Sequence, residues 1–278
     1  MANHADEFLD GAIEGAGQAL AVPSREKRLA SPERRDGVVG GQVWPYAVKR
    51  DGTAEILAAP VPLADGALTV PDRLDGHAVT GIADGAFAGC TELKSVTIPE
   101  GVLRVEDEVF FGCAALEEVV LPASLEHIGR HAFTRCPSLV SFKVAPGSTR
   151  FAFEYGYLVQ WFNDRLCIVK ALDAKGDVTF PPGIDSICDG AFSHCEKMTS
   201  LVLPEGVRWI GYDAFESCVE LTTVTFPKSL RSIETDAFYG CRKLSLVRVA
   251  KGESARVREM LEENCSADVR CDFPLEEV

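Results

Sequence analysis

Apolar residues along this chain fall into blocks, and the blocks recur. Leu93, Val96 and Ile98 are followed by Pro99, then by Val102 and Val105. The same order returns as Leu116, Val119, Leu121, Pro122, Leu125 and Ile128. It returns again as Met198, Leu201, Leu203, Pro204, Val207 and Ile210, and as Leu221, Val224, Phe226, Pro227, Leu230 and Ile233. Leu139, Phe142 and Val144, and Leu244, Val247 and Val249, open the block without the proline. Pairs such as Val96 and Ile98 alternate at strand spacing, so they point inward and Thr97 outward. Proline ends that strand because it has no amide to give a ladder. The Val-x-x-Val/Ile pairs predict a second short extended segment.

Each block closes on a third signature. Ala86-Phe87-Ala88-Gly89-Cys90 recurs as Val109-Phe110-Phe111-Gly112-Cys113 and Ala132-Phe133-Thr134-Arg135-Cys136. It returns as Ala191-Phe192-Ser193-His194-Cys195, Ala214-Phe215-Glu216-Ser217-Cys218 and Ala237-Phe238-Tyr239-Gly240-Cys241. The step between phenylalanines is 23 residues within each set of three. A fixed period of that size marks a repeat architecture whose units stack on their neighbours. Ala, Phe and Cys have helical spacing, which predicts short helical turns. Asp84, Asp107 and Asp189 precede the turns, where a side-chain oxygen caps exposed amides. Phe is expected to fill the gap between layers, and the six cysteines to form a buried, reduced ladder.

The flanks read differently. Residues 1–40 predict a flexible tail: Gly11, Gly15 and Gly17 break a faint helical stripe, and 24–41 is charged and glycine-containing. Trp44, Tyr46 and Val48, then Asp51-Gly52, then Ala54 and Ile56 predict a β-hairpin capping the repeats. Between Cys136 and Cys195 the step is 59 residues instead of 46. The excess holds a second hairpin near 151–170, Tyr157–Trp161 and Arg165–Val169 around Asn163-Asp164, followed by a turn at 173–177. Val257, Met260 and Leu261 predict a C-terminal capping helix with Ser254 as N-cap, and 268–271 a final strand. The domain reading is a tail at 1–40, the repeats with hairpin and insert at 41–252, and a C-terminal cap at 253–278.

The order Ile-Pro, Val-x-x-Ile-Gly, Ala-Phe-x-x-Cys and Leu-x-x-Val, as in Leu121-Pro122 through Phe142, resembles the BspA-type leucine-rich repeat family from about Gly41 onward. The resemblance implies a right-handed solenoid with one sheet per strand set. The expected fold class is α/β: a β-rich right-handed solenoid with short helical turns, hairpin cap and C-terminal capping helix. The resemblance also implies bacterial, surface-exposed proteins that bind other proteins, including host matrix proteins.

Charge and composition narrow the function. Against 28 Lys plus Arg stand 42 Asp plus Glu, a net charge of −14. That balance lacks the basic footprint of a nucleic-acid binder. No apolar run reaches the ~18 residues of a membrane span, so no membrane insertion is expected. Met1–Asp10 shows neither a basic start nor an apolar core, so a cytoplasmic location is expected. A surface adhesin with a start further upstream is the alternative.

Catalytic motifs are sparse. There is no Cys-x-x-Cys pair, no Gly-x-Ser-x-Gly elbow and no phosphate loop at Gly37–Gly41. His127 and His131 lack a third metal ligand, so no metal and no cofactor is expected. A thiol-dependent hydrolase using Cys195 or Cys167 with His194 is a competing reading. The preferred reading is a non-enzymatic scaffold for a protein partner. Its candidate contacts are the middle residues of the second segments: Arg208, Trp209 and Arg231 on adjacent layers, with Arg104 and His127 earlier. Trp and Arg are enriched among interface hot spots.

Overall fold

A computed structural model of the chain describes residues 33–60, 66–172, 174–178, 180–264 and 273–278. Before the insert the strands are β1 (Arg34–Val39), β2 (Gln42–Val48), β3 (Ala54–Ile56), β4 (Ala67–Thr69), β5 (Arg73–Leu74), β6 (His77–Ile82), β7 (Ser95–Thr97), β8 (Arg104–Val105), β9 (Glu118–Leu121), β10 (His127–Ile128) and β11 (Ser141–Val144). The insert supplies β12 (Phe151–Glu154), β13 (Tyr157–Phe162) and β14 (Arg165–Ala171). After it come β15 (Lys175–Val178), β16 (Ile184–Ile187), β17 (Lys197–Val202), β18 (Trp209–Ile210), β19 (Thr223–Thr225), β20 (Ser232–Ile233), β21 (Leu246–Val249), helix α1 (Ser254–Glu263) and β22 (Leu275–Glu277).

Successive coils pair in parallel and build a β-rich solenoid with two strand sets. The first set forms one sheet in the order β4-β7-β9-β11 and another in the order β15-β17-β19-β21-β22. The second set runs β1-β2-β3-β6-β8-β10, with β5 on β6, and then β12-β13-β14-β16-β18-β20. The insert therefore divides the molecule into two blocks. Val96 and Ile98 are buried and Thr97 is exposed, as strand alternation dictates.

Among the described residues α1 is the helix; the Ala-Phe-x-x-Cys segments are hydrogen-bonded turns. Each turn bends through two left-handed residues, such as Glu108 and Gly112 or Asp213 and Ser217. Such a backbone stops a helix from propagating. It also aims the amides along the solenoid. Phe87 N donates to Val109 O, Phe110 N to Ala132 O, Phe192 N to Ala214 O and Phe215 N to Ala237 O. The Phe carbonyl is used as well. Cys113 Sγ donates to Phe87 O, Cys136 Sγ to Phe110 O, Cys218 Sγ to Phe192 O and Cys241 Sγ to Phe215 O. The ladder cysteine is thus the side chain that caps the preceding coil's Phe carbonyl.

Burial pushes the Cys113 thiol up to about 12 and Cys136 to about 11. No disulfide joins any two of the eight described cysteines. Cys90 and Cys195 are half-buried, not sealed as the pattern predicts.

The rings stack nearly parallel, Phe87–Phe110–Phe133 at 5.4 Å per step and Phe192–Phe215–Phe238 at 5.0 and 5.1 Å. At the insert the stack breaks. Phe133 meets Phe142 edge-on, and Phe192 meets Tyr157 and Phe180. Two hydrophobic cores result, with Leu158 in the first and its neighbour Tyr157 in the second.

The insert also takes over part of the ladder. Ala171 N donates to Ala191 O, and the buried Lys170 Nζ donates to Gly190 O and Ser193 O at 3.4 Å. Burial pulls the Lys170 amine below its ordinary range.

Several predicted boundaries shift. The tail does not reach residue 40: Arg34–Val39 is a strand paired antiparallel to β2. Residues 1–32 lie outside the described residues. The β2–β3 hairpin forms as predicted, but β2 has β1 on its other edge and Trp44 through Ala47 are all buried instead of alternating. The insert is a three-stranded meander, with β12 added to the predicted hairpin. Lys175–Val178 is a strand on β17, not a turn. At α1 the N-cap position is Glu253, and the Ser254 hydroxyl donates to Glu277 instead. The strand predicted at 268–271 lies outside the described residues.

Candidate functional site

The second strand set turns one row of side chains inward and one outward. Ile82, Val105, Ile128, Ile187, Ile210 and Ile233 are buried. Arg104 and His127 stand side by side in the outward row of the first block, as Trp209 and Ser232 do in the second. The five predicted residues therefore form two groups in separate blocks.

The two groups differ in what holds them. Arg104 is engaged by Glu106 through two hydrogen bonds, at 2.7 and 3.2 Å. His127 lies 3.9 Å from the same carboxylate. Burial, then the charge of Arg104, depresses the His127 imidazole below its usual range. In the second block, the half-buried Trp209 indole donates to Glu234 Oε1 at 2.9 Å, and Ser232 Oγ donates to the same oxygen. Glu234 is itself buried, so the indole is fixed from beneath. Arg208 stays 55 % exposed with Asp185 3.7 Å away. Arg231 is exposed and donates to Lys228 O and Leu230 O of its own coil. Its guanidinium is oriented without a carboxylate neutralising it in those bonds.

A third group escapes sequence reasoning because its members are far apart in the chain. The turns on either side of the insert stack, and charged side chains bridge them. Arg130 Nε lies 3.6 Å from Asp189, His131 Nε2 3.9 Å from Asp213, and Arg135 3.5 Å from Glu216. Ser193 Oγ donates to Glu216, and His194 lies 4.0 Å from it. His127 and His131, read as a possible pair, thus face different partners.

The aspartates cap amides, but those of the next coil. Asp84 accepts from Asp107 N, Asp107 from Arg130 N and Asp189 from Tyr212 N. Burial raises the Asp189 carboxyl to about 7 and Asp213 to about 6. A carboxyl raised in the folded state binds more protons folded than unfolded between its two pKa values. Its contribution to stability therefore falls as pH rises from about 4 through about 7. Asp189→Asn keeps an oxygen for the Tyr212 amide. Its melting temperature is expected to drop less between about pH 4 and about pH 8 than that of the parent chain. Parallel pH profiles of the two proteins would reject the assignment.

Among the described residues no group of three or more His, Cys, Asp or Glu is placed to hold a metal. No described helix is long and apolar enough to cross a membrane. Cys167, read as a possible nucleophile with His194, is contacted instead by Ser186 and Cys188.

The coil geometry coincides with a family pattern. The model of the BspA type leucine rich repeat region matches residues 75–155 and 174–266 in six copies. The chain belongs to the BspA-type leucine-rich repeat family. The gap between the two matched stretches falls on the insert, where the turn ladder is interrupted. No curated protein sequence matches the chain. Among solved structures it is similar to a T. pallidum leucine-rich repeat protein, TpLRR, at 24 % identity over 84 % of this chain and 95 % of that one, with a TM-score of 0.43. A leucine-rich cell surface protein of Faecalibacterium prausnitzii is 18 % identical over 80 % and 89 %, TM-score 0.44. The pneumococcal vaccine antigen PcpA is 15 % identical over 89 % and 100 %, TM-score 0.38.

Proposed function

We propose that this BspA-type repeat protein is a non-enzymatic scaffold that binds a protein partner through the outward face of β16, β18 and β20. The observation that carries the reading is Trp209, held by buried Glu234, with Arg208 beside it in its own coil and Arg231 on the next. A preoriented indole with two arginines in the neighbouring positions of the same and the next coil offers apolar area and charge at low ordering cost. Arg104 and His127 contribute less, because Glu106 already engages the arginine. The cleft beside β11, about 290 Å³, has only Ser148 and Glu154 as polar side chains in its lining.

Affinity capture with the intact chain identifies the partner, and substitutions then locate the face. Trp209→Ala is expected to weaken binding by about 2 kcal/mol or more, the hot-spot threshold. Arg208→Gln removes a half-exposed charge without placing a second carboxylate beside Asp185, and is expected to weaken binding with the melting temperature little changed. Arg208→Gln and Trp209→Phe binding as tightly as the parent would move the interface elsewhere.

A further inference from the structure

Cys167 and Cys188 stand outside the repeating thiol ladder. Cys167 belongs to the insert. Cys188 takes the place that is Gly129, Gly211 or Glu234 in other coils. Neither position recurs, yet the fold brings the two together. Parallel pairing sets Cys167 opposite Ser186 and Ile168 opposite Ile187. Side chains two apart on a strand share a face, so Cys188 follows Ser186 onto the face of Cys167. Cys188 N donates to Ile168 O at 2.9 Å, which holds it against β14. The Cys188 thiol and the Ser186 hydroxyl then both hydrogen-bond to the Cys167 sulfur, the hydroxyl at 2.8 Å.

Accessibility separates this pair from the sealed rungs of the ladder, and mutual contact separates it from the half-buried Cys90 and Cys195. Cys218 and Cys241 also touch, but both are sealed in the core and each donates to a Phe carbonyl. Cys167 and Cys188 are half-buried on the outward side of the sheet. We infer that Cys167 and Cys188 are a site of reversible oxidation, in which a hydroperoxide converts the two thiols to one disulfide joining β14 to the residue that follows β16.

The reaction balances with hydrogen peroxide as oxidant. The Cys167 thiolate attacks one peroxide oxygen, the O–O bond breaks, and a sulfenic acid and one water result once a proton is supplied. The Cys188 sulfur then attacks that sulfenic sulfur, its own thiol proton passes to the leaving hydroxide as the S–O bond breaks, and the second water leaves. Two thiols are oxidised by two electrons and one peroxide is reduced to two waters. The roles follow from the contacts. Hydrogen bonds from Cys188 and Ser186 stabilise a thiolate on Cys167 and hold it below the ordinary cysteine range. Cys188, whose proton is shared with Cys167, is held above it. A stabilised, accessible thiolate is the sulfur that a peroxide oxidises first.

The test treats the full native chain with hydrogen peroxide, alkylates the remaining thiols and maps the digest by mass spectrometry. The expected product is one linked peptide pair containing Cys167 and Cys188, two hydrogens lighter than the thiols and undone by dithiothreitol. Cys113, Cys136, Cys218 and Cys241 are expected to become alkylated only after denaturation. Cys188→Ser is expected to stop at a Cys167 sulfenic acid that dimedone captures, with Cys188 in Cys167→Ser labelled much more slowly. Free alkylatable thiols at both positions after peroxide would overturn the inference. So would a link from either cysteine to Cys265, Cys271 or a ladder cysteine, or equal dimedone labelling in the two variants.

Discussion

Phe215→Ala is expected to lower the stability of the fold by about 3–5 kcal/mol, the usual cost of truncating a buried Phe. Phe215 is fully buried and sits between Phe192 and Phe238, at 5.0 and 5.1 Å. Both ring faces are in stacking contact, so truncation removes two contacts and leaves a void that flanking coils fill poorly. The backbone at this position donates to Ala237 O and accepts from the Cys241 thiol. The ladder therefore resists the collapse that would otherwise reduce the cost. Chemical denaturation of the two proteins measures the difference. A loss under about 1 kcal/mol would mean that the coils are not packed through the ring stack.

The second large effect is expected at Gly211. A Cβ built there would lie 2.2 Å from Asp189 Oδ1 and 2.7 Å from the Asp189 amide nitrogen. That volume is taken because the Asp189 carboxylate crosses from the preceding coil to accept from Tyr212 N. Gly211→Ala forces the side chain or the coil to move, an overpacking cost of about 1–3 kcal/mol. Gly129 stands in the same relation to Asp107. Asp189→Ala together with Gly211→Ala is expected to cost less than the two single changes added, since removing the carboxylate relieves the closest contact. Simple additivity would show that the carboxylate and Gly211 do not share that space.

These two residues also show what was legible beforehand. The Phe spacing of 23 reads directly as a stack, because each ring repeats the same role. The recurring Ile-Gly is equally visible, but its cause is not. Asp189 and Gly211 are a coil apart, so no local window joins them. β1 was missed for a different reason. Arg34, Arg35 and Asp36 look like solvated chain, and on that edge strand Gly37 alone is buried, leaving no apolar alternation to read. Lys170, inside an apolar run, reads as an exposed position. The structure buries it because Gly190 and Ser193 offer it their carbonyls. In the site, the neighbouring placement of Arg208, Trp209 and Arg231 followed from the period. The Trp209–Glu234 bond did not, nor did the charged bridge from Arg135 to Glu216, which spans 81 positions.

β13 has a consequence for how damage spreads. Its consecutive residues Tyr157 and Leu158 point into different cores, so one strand acts as a bulkhead between two compartments. In a nearest-neighbour array a weakened coil loosens the coils it touches, and the disturbance decays with each interface crossed. Here the carbonyls that open the second compartment's ladder are held by Lys170 and Ala171 rather than by the turn of the preceding coil. A breach near Phe110 is therefore damped at β13, where only the shared strand and charged bridges such as Arg130–Asp189 and Arg135–Glu216 carry it across, and amide exchange around Phe215 and Phe238 is expected to rise less than exchange around Phe87.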